Sequence, residues 1–160
     1  MMKSIPVWKQ ELSDGVHAAR LASLYCCAPA ETASKAARYA AVLDGLEKTF
    51  GSHAEAGLYS APGRTEIGGN HTDHQHGRVL AGSVNIDMIA AAAPNDKNQL
   101  RVQSEGYDLC VIDLNDLEAR KEEENTTAAL LRGECAAFTQ RGAKPVSYTH
   151  LRAHETSLHL

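Results

Sequence analysis

The chain has 160 residues, of which 43% are hydrophobic and 22% are charged, and its formal net charge is −4. This composition is typical of a globular protein and excludes a disordered charged tail, a collagen-like fibre and a coiled coil. The acidic balance argues against nucleic-acid binding. No stretch approaches the roughly 20 apolar residues of a membrane-spanning helix.

The cysteines and the N-terminal residues indicate a cytoplasmic protein. The first residues lack the apolar segment of an export signal. None of Cys26, Cys27, Cys110 and Cys135 forms a C-x-x-C pair. We therefore expect four reduced thiols, mostly acting as small core side chains, and no membrane partner.

Two helices are predicted before residue 56. The first begins with Asp14 as its cap and runs to about Cys27, where Ala28-Pro29 interrupts the pattern. The second runs from Thr32 to Phe50 and ends at Gly51. Its apolar residues recur at spacings of three and four, which predicts one buried stripe: Tyr39, Val42, Leu43, Leu46 and Phe50.

Strands are predicted next. Gly57 to Ser60 resembles a short strand that ends where Pro and Gly follow. Val84 to Ala93 is apolar and predicts a buried strand. Leu100 to Ser104 and Leu109 to Asp113 alternate around a turn, which predicts a hairpin.

A charged segment and a third helix follow. Glu118 to Glu124 is predicted to be a solvated face or loop. The helix begins near Thr126 and ends at Gly142, and one side is lined by Ala128, Leu131, Cys135 and Phe138. Helices, then strands, then a helix predict an α+β domain.

The sequence pattern of the last residues does not continue that of the preceding domain. Residues 146–156 read VSYTHLRAHET and look like a translated sequencing adapter. We therefore interpret residues 145–160 as an artefactual tail and leave them out of the fold prediction. On this interpretation the natural protein continues past about Lys144, and the chain is a fragment.

Polar and charged side chains that could bind a ligand are most concentrated in residues 60–77, which read SAPGRTEIGGNHTDHQHG. Glycines here allow close approach of backbone to a ligand. Asn, His, Thr and Asp offer the alternating donors and acceptors that the hydroxyl groups of a sugar need. Arg64 adds a planar cation suited to a phosphate or a carboxylate.

Three other interpretations of this segment compete. His71, Asp73, His74 and His76 could bind a transition metal, but their spacing matches no standard closed zinc site, and we predict no metal. The glycines could hold a nucleotide phosphate, yet neither G-x-G-x-x-G nor G-x-x-x-x-G-K-[ST] occurs. A plain surface loop is also compatible with the composition.

Residues 61–64 read APGR, residues 69–73 read GNHTD, and Gly77-x-Val79-Leu80 follows. This pattern resembles the galactokinase signature, whose usual form is A-P-G-R-V-N-L-I-G-E-H-T-D-Y-N-G-G. Galactokinases belong to the GHMP kinase superfamily and phosphorylate the anomeric hydroxyl of α-D-galactose with Mg-ATP. Residues 127–142 look more weakly like the helix that precedes the phosphate loop of the family.

The resemblance implies roles for five residues. Arg64 matches the arginine that stabilises the transferring phosphoryl group. The galactose-binding positions fall on Asn70, His71, Thr72 and Asp73. Asn70 replaces the usual glutamate, so one sugar contact loses its charge, and we hypothesise that Glu66 restores a carboxylate nearby.

The sequence therefore predicts the incomplete N-terminal domain of a GHMP-type kinase over residues 1–144. Its parts are a helical lead-in, 1–55, and a region of sugar-site loop, mixed or antiparallel strands and a helix, 56–144. The family's Gly/Ser-rich phosphate loop and catalytic aspartate do not occur in the sequence, so ATP and Mg²⁺ would bind mainly to residues outside it, and this chain alone is expected to be inactive. The alternatives are another GHMP small-molecule kinase and a non-catalytic galactose-binding regulator.

Overall fold

The computed structural model describes residues 2–69 and 76–143, together with the backbone of residues 148–152. In these ranges four α-helices lie against one mixed sheet. The helices are α1 (Ile5–Ser13), α2 (Ala18–Tyr25), α3 (Thr32–Phe50) and α4 (Thr127–Gln140). The strands are β1 (Met2–Lys3), β2 (Ala56–Gly68), β3 (Leu80–Pro94), β4 (Gln99–Ser104), β5 (Cys110–Asp113) and β6 (Tyr148–Arg152).

The six strands are arranged in the order β1-β2-β3-β6-β4-β5. Every neighbouring pair is antiparallel except β4 and β6, which are parallel. The predicted α+β class, with N-terminal helices followed by a mixed sheet, is therefore confirmed. Strand β6 comes from the C-terminal segment and lies between β3 and β4. The interpretation of residues 145–160 as an artefactual tail stays a prediction.

Helices α1, α2 and α3 cover one end of the long hairpin formed by β2 and β3. The predicted stripe of α3 is confirmed, since Tyr39, Val42, Leu43 and Leu46 are all buried and Phe50 packs against them. The core also includes alternate residues of β3, namely Ile89, Ala91 and Ala93, each fully buried. The period of two puts these three side chains on the face of the sheet that meets the helices.

The prediction for the first helix is wrong at its beginning. Asp14 closes helix α1 as its C-terminal cap, and α2 begins four residues later at Ala18. Helix α1 was not predicted, although Pro6 lies in its first turn, where a proline is favourable. The indole N–H of Trp8 donates to the carbonyl of Ala56 at 2.8 Å, which fixes α1 to the beginning of β2.

The predicted end of β2 is also wrong. The strand does not stop at Ser60 but continues through the APGR segment to Gly68. Its partner β3 is longer than the predicted Val84–Ala93 and pairs along this whole length. Pairing with a second strand outweighs the local preference of Pro and Gly for turns.

The predicted hairpin of β4 and β5 is confirmed by their antiparallel pairing. Helix α4 begins as predicted, with the Thr126 hydroxyl accepting from the Ala129 N–H at 3.3 Å. Two details were wrong. Phe138 is 57% exposed, and Glu123 is not simply solvated, because both its oxygens accept from the buried Arg132 guanidinium at 2.7 and 2.8 Å.

All four cysteines are free thiols. Cys135 is buried and Cys27 packs against the core, whereas Cys26 is exposed and Cys110 is half-buried. The expectation of small core side chains therefore applies to half of them. Among the helices of residues 2–69 and 76–143, none combines the length and the apolar character that crossing a membrane requires.

Candidate functional site

Of the predicted site residues, the structure describes Arg64, which belongs to the β2–β3 hairpin. Arg64 lies in β2 and pairs with Ser83 of β3. Its side chain is 72% exposed, and the nearest guanidinium nitrogen lies 3.9 Å from a carboxylate oxygen of Glu66. An exposed pair at this distance adds little stability, so the donors of Arg64 are accessible to an anionic group from solution.

The structure places Glu66 beside Arg64. Its carboxylate lies on the same strand as Arg64 and on the same side, as expected for residues two apart. A carboxylate is therefore close to the arginine. No contact between Glu66 and a sugar follows from this placement, so its replacement of the missing glutamate stays a prediction.

Gly63 sits at an irregularity in the hairpin. The strand register shifts between Pro62 and Arg64, which is the sign of a β-bulge. A methyl group on Gly63 would lie 3.0 Å from the Val84 side chain and 3.1 Å from the Ile86 carbonyl oxygen. Glycine is favoured here because the two strands approach closely at the point where β2 changes direction towards Arg64.

The turn-side end of the hairpin is closed by Gly69. Its φ angle is +85°, and a Cβ atom there would lie 2.2 Å from the carbonyl oxygen of Arg78. His76 also has a positive φ, 61°, so the backbone turns sharply on both sides of residues 70–75. Only a residue without a side chain fits at position 69.

The four predicted galactose-binding residues lie outside the described residues. These are Asn70, His71, Thr72 and Asp73, and His74 of the metal alternative is outside as well. The structure therefore describes Arg64 and the two strands that lead into and out of residues 70–75. Within residues 2–69 and 76–143, no three His, Cys, Asp or Glu side chains are grouped in a way that could hold a metal ion.

A buried polar cluster fixes the base of the same hairpin. It centres on Asp87 of β3, which is 3% exposed. Three side chains donate to its carboxylate: Tyr25 at 2.5 Å, Ser60 at 2.6 Å and Arg38 at 2.8 Å. The hydroxyls of Tyr25 and Tyr39 lie 2.9 Å apart; since Tyr25 donates to Asp87, it accepts from Tyr39.

The contacts of this cluster set the protonation of its members. Burial would raise the pKa of Asp87, but the hydrogen bonds from Ser60, Tyr25 and Arg38 outweigh burial and lower it. Burial, and then the bond to Asp87, raise the pKa of Tyr25. At neutral pH the cluster therefore holds the Asp87 carboxylate, the Arg38 guanidinium and the neutral Tyr25 phenol.

Sequence reasoning missed the Asp87 cluster. One signal was available, since Asp87 is an acidic residue inside an apolar run that was itself predicted to be a buried strand. A buried carboxylate requires donors. Its donors come from three separate elements, and their convergence is not visible in the sequence.

Comparison with known proteins points to one family. A family model described as "Galactokinase galactose-binding signature" matches residues 46–94, which include the hairpin. A galactokinase of Ligilactobacillus salivarius is 35% identical over 83 residues, covering 50% of this chain and 21% of that protein. A galactokinase of Lacticaseibacillus casei is 33% identical over 66 residues, covering 41% of this chain and 17% of that protein.

The fold agrees with these matches. The crystal structure of Lactococcus lactis galactokinase complexed with galactose aligns with a TM-score of 0.62 at 22% identity. The alignment covers 70% of this chain and 29% of that one. The chain thus spans about a fifth of the length of the curated relatives it matches. The signature match and the relatives show similarity to galactokinases over the hairpin region, and the shared fold agrees with it.

Proposed function

We propose that this chain supplies the sugar-binding part of a longer galactokinase, which phosphorylates the anomeric hydroxyl of α-D-galactose. The observation that supports this most is the exposed Arg64, 72% accessible, on a hairpin that lies inside the galactose-binding signature. The same hairpin leads directly into residues 70–75. The cation and the polar segment are thus close together in the sequence.

In this proposal Arg64 stabilises the charge on the transferring phosphoryl group. A guanidinium can donate two parallel hydrogen bonds to phosphate oxygens, which makes it suited to that role. Asn70, His71, Thr72 and Asp73 donate to and accept from the sugar hydroxyls. A site that pairs each hydroxyl discriminates against sugars that lack one.

The family's nucleotide-binding loop has no counterpart in this sequence. That loop is rich in Gly and Ser, and we propose that ATP and Mg²⁺ bind mainly to sequence outside this chain. We also expect the chain alone to give no turnover, since phosphoryl transfer depends on positioning both partners.

The test is a coupled assay of ADP release with the longer protein that contains this sequence. Arg64→Ala should lower kcat by about 100-fold or more, which is typical when one charge-stabilising donor is removed. Arg141→Ala, an exposed arginine beyond helix α4, is the matched control and should leave kcat unchanged. An unchanged kcat in Arg64→Ala would contradict the role of this residue.

A sugar panel tests the substrate. Galactose should be phosphorylated in preference to glucose and N-acetylgalactosamine. A preference for N-acetylgalactosamine would assign the altered specificity to Asn70, and Asn70→Glu should then shift it towards galactose. Calorimetry that detects galactose binding with no ADP release would instead indicate a galactose-binding regulator.

A further inference from the structure

We infer that Asp87 is a positioning residue for the galactose site, which it serves by fixing the base of the hairpin that carries Arg64. The inference rests on the proposed function. It adds a residue that touches neither sugar nor phosphate in that proposal. Asp87 would act through the β2 backbone, so its effect should appear in how well the sugar is held.

The register of the hairpin places Asp87 beside the irregularity in β2. Asp87 lies directly opposite Pro62, the last residue before the register shift that precedes Arg64. Its carboxylate also accepts from Ser60, two residues earlier on β2, at 2.6 Å. Because Ser60 pairs in register with Ile89, this bond crosses the ladder diagonally and ties the two strands together.

Helices α2 and α3 fix Asp87 from the other side. Tyr25 ends α2 and donates to one carboxylate oxygen, while Arg38 of α3 donates to the other. Arg38 also donates to the backbone carbonyl of Asp87 at 3.3 Å, so both the side chain and the main chain of this residue are held. The helical layer is thus bonded to the hairpin at one residue.

Asp87 marks the last covered position of β3 on the way to the site. On the helix side of β3, Ile89, Ala91 and Ala93 are fully buried, whereas Asn85, the next residue of that face beyond Asp87, is exposed. Apolar packing on this face of β3 therefore ends at Ile89. At Asp87, the next residue of the same face towards the turn, the strand is held by directional hydrogen bonds instead. Such bonds fix orientation as well as distance, which apolar contacts alone do not.

The test compares variants in the longer protein that contains this sequence, at a temperature where each is shown to be folded. Asp87→Asn should raise KM for galactose by about tenfold, because small displacements of binding groups cost such factors. KM for ATP should stay within about twofold, since the inference concerns the sugar side alone. Tyr25→Phe, which removes one donor, should give the same pattern with a smaller rise.

The matched control is Leu46→Val, which loosens the fully buried side of α3 without touching the cluster. It should lower the unfolding temperature and leave both KM values unchanged. If Asp87→Asn lowers the unfolding temperature but leaves KM for galactose unchanged, its role is structural only and the inference is overturned. A wild-type protein that phosphorylates no galactose overturns the proposed function instead.

A second measurement does not depend on activity. Hydrogen exchange of this chain should become faster in β2 residues 61–68 in Asp87→Asn than in wild type, with α3 unchanged. The Leu46→Val control should show faster exchange in α3. Equal acceleration throughout the chain in both variants would overturn the inference. If Asp87→Asn does not fold, Tyr25→Phe and Ser60→Ala replace it with the same expected pattern.

Discussion

The two halves of the β2–β3 hairpin differ sharply although they belong to the same two strands. Near the helices, Ile89, Ala91 and Ala93 are fully buried. Towards the turn, Ile67 is 67% exposed and Leu80 is 61% exposed. The covered half supplies stability, and the open half presents Arg64 to solution. The candidate site residue Arg64 thus lies on an exposed extension of a packed scaffold, an arrangement that is common for binding sites.

The largest expected effect comes from breaking the covered half. Ile89→Ala removes a fully buried side chain and should lower the free energy of unfolding by about 2–5 kcal/mol. Ile67→Ala, at an exposed position of the open half, should change it by about 0.5 kcal/mol or less. Urea unfolding followed by circular dichroism measures both.

The control for this comparison is the milder variant Ile89→Val, for which we expect a loss of about 0.5–1.5 kcal/mol. Ile89→Val replaces Ile89→Ala in the comparison if the alanine variant does not fold. Equal losses at positions 89 and 67 would contradict the division of the hairpin into a covered and an open half.

The covered half was largely predictable from the sequence. Helix α3 was predicted with its observed bounds because its apolar residues follow the helical period and Gly51 ends it. Strand β3 and the β4–β5 hairpin followed from apolar alternation. These signals are local, since each depends on residues a few positions apart.

The open half of the hairpin and the Asp87 cluster at its base were less predictable from the sequence. Pro62 and Gly63 predicted the end of a strand, yet β2 continues because β3 pairs with it over a long range. Arg64 was found from the resemblance of its motif to the galactokinase signature. Asp87 was missed because its donors, Tyr25, Arg38 and Ser60, are separated from it by 62, 49 and 27 positions.

The next largest effect should come from the turn-side end of the open half. Gly69→Ala would put a Cβ atom 2.2 Å from the Arg78 carbonyl oxygen, so the backbone has to move. We expect a local cost of about 2–3 kcal/mol from the clash and the positive φ together. In the longer protein this should weaken galactose binding, measured by calorimetry.

Gly142→Ala is the matched control for this variant. Gly142 has a similar φ, +82°, but no atom lies within 4 Å of the added Cβ. Its cost should therefore be only about 1 kcal/mol, from the backbone conformation alone. If both variants behave alike, close approach at Gly69 does not contribute to the open half.

A smaller effect is expected at the boundary between the two halves. Gly63→Ala brings a methyl group to 3.0 Å from the Val84 side chain, which can move by a few tenths of an ångström, and to 3.1 Å from a backbone oxygen, which moves less easily. We expect a loss of about 1 kcal/mol, within the usual range of overpacking. Hydrogen exchange should rise in residues 64–68 and not in 56–60; the reverse would contradict the role of this glycine as the boundary.

The smallest effect concerns the charge at the base of the hairpin. The pKa of Asp87 is lower in the folded chain than its ordinary value, because the bonds from Ser60, Tyr25 and Arg38 outweigh burial. The unfolded chain therefore binds more protons than the folded chain as the pH falls towards the folded pKa. The stability that the Asp87 carboxylate provides is present above its ordinary pKa and is lost in that acidic window.

This prediction is measured as the urea midpoint of wild type and Asp87→Asn between about pH 6 and pH 3. The wild type should lose more stability than the variant over this window. The difference isolates Asp87, because Glu11, Asp116 and Glu123, whose pKa values are also lowered by their partners, are present in both proteins. We expect a small difference, since a protonated Asp87 can still accept from Ser60 and Tyr25. Parallel curves would mean that the base of the hairpin is held by apolar packing and neutral hydrogen bonds, and that the charge on Asp87 adds nothing to the contrast between its two halves.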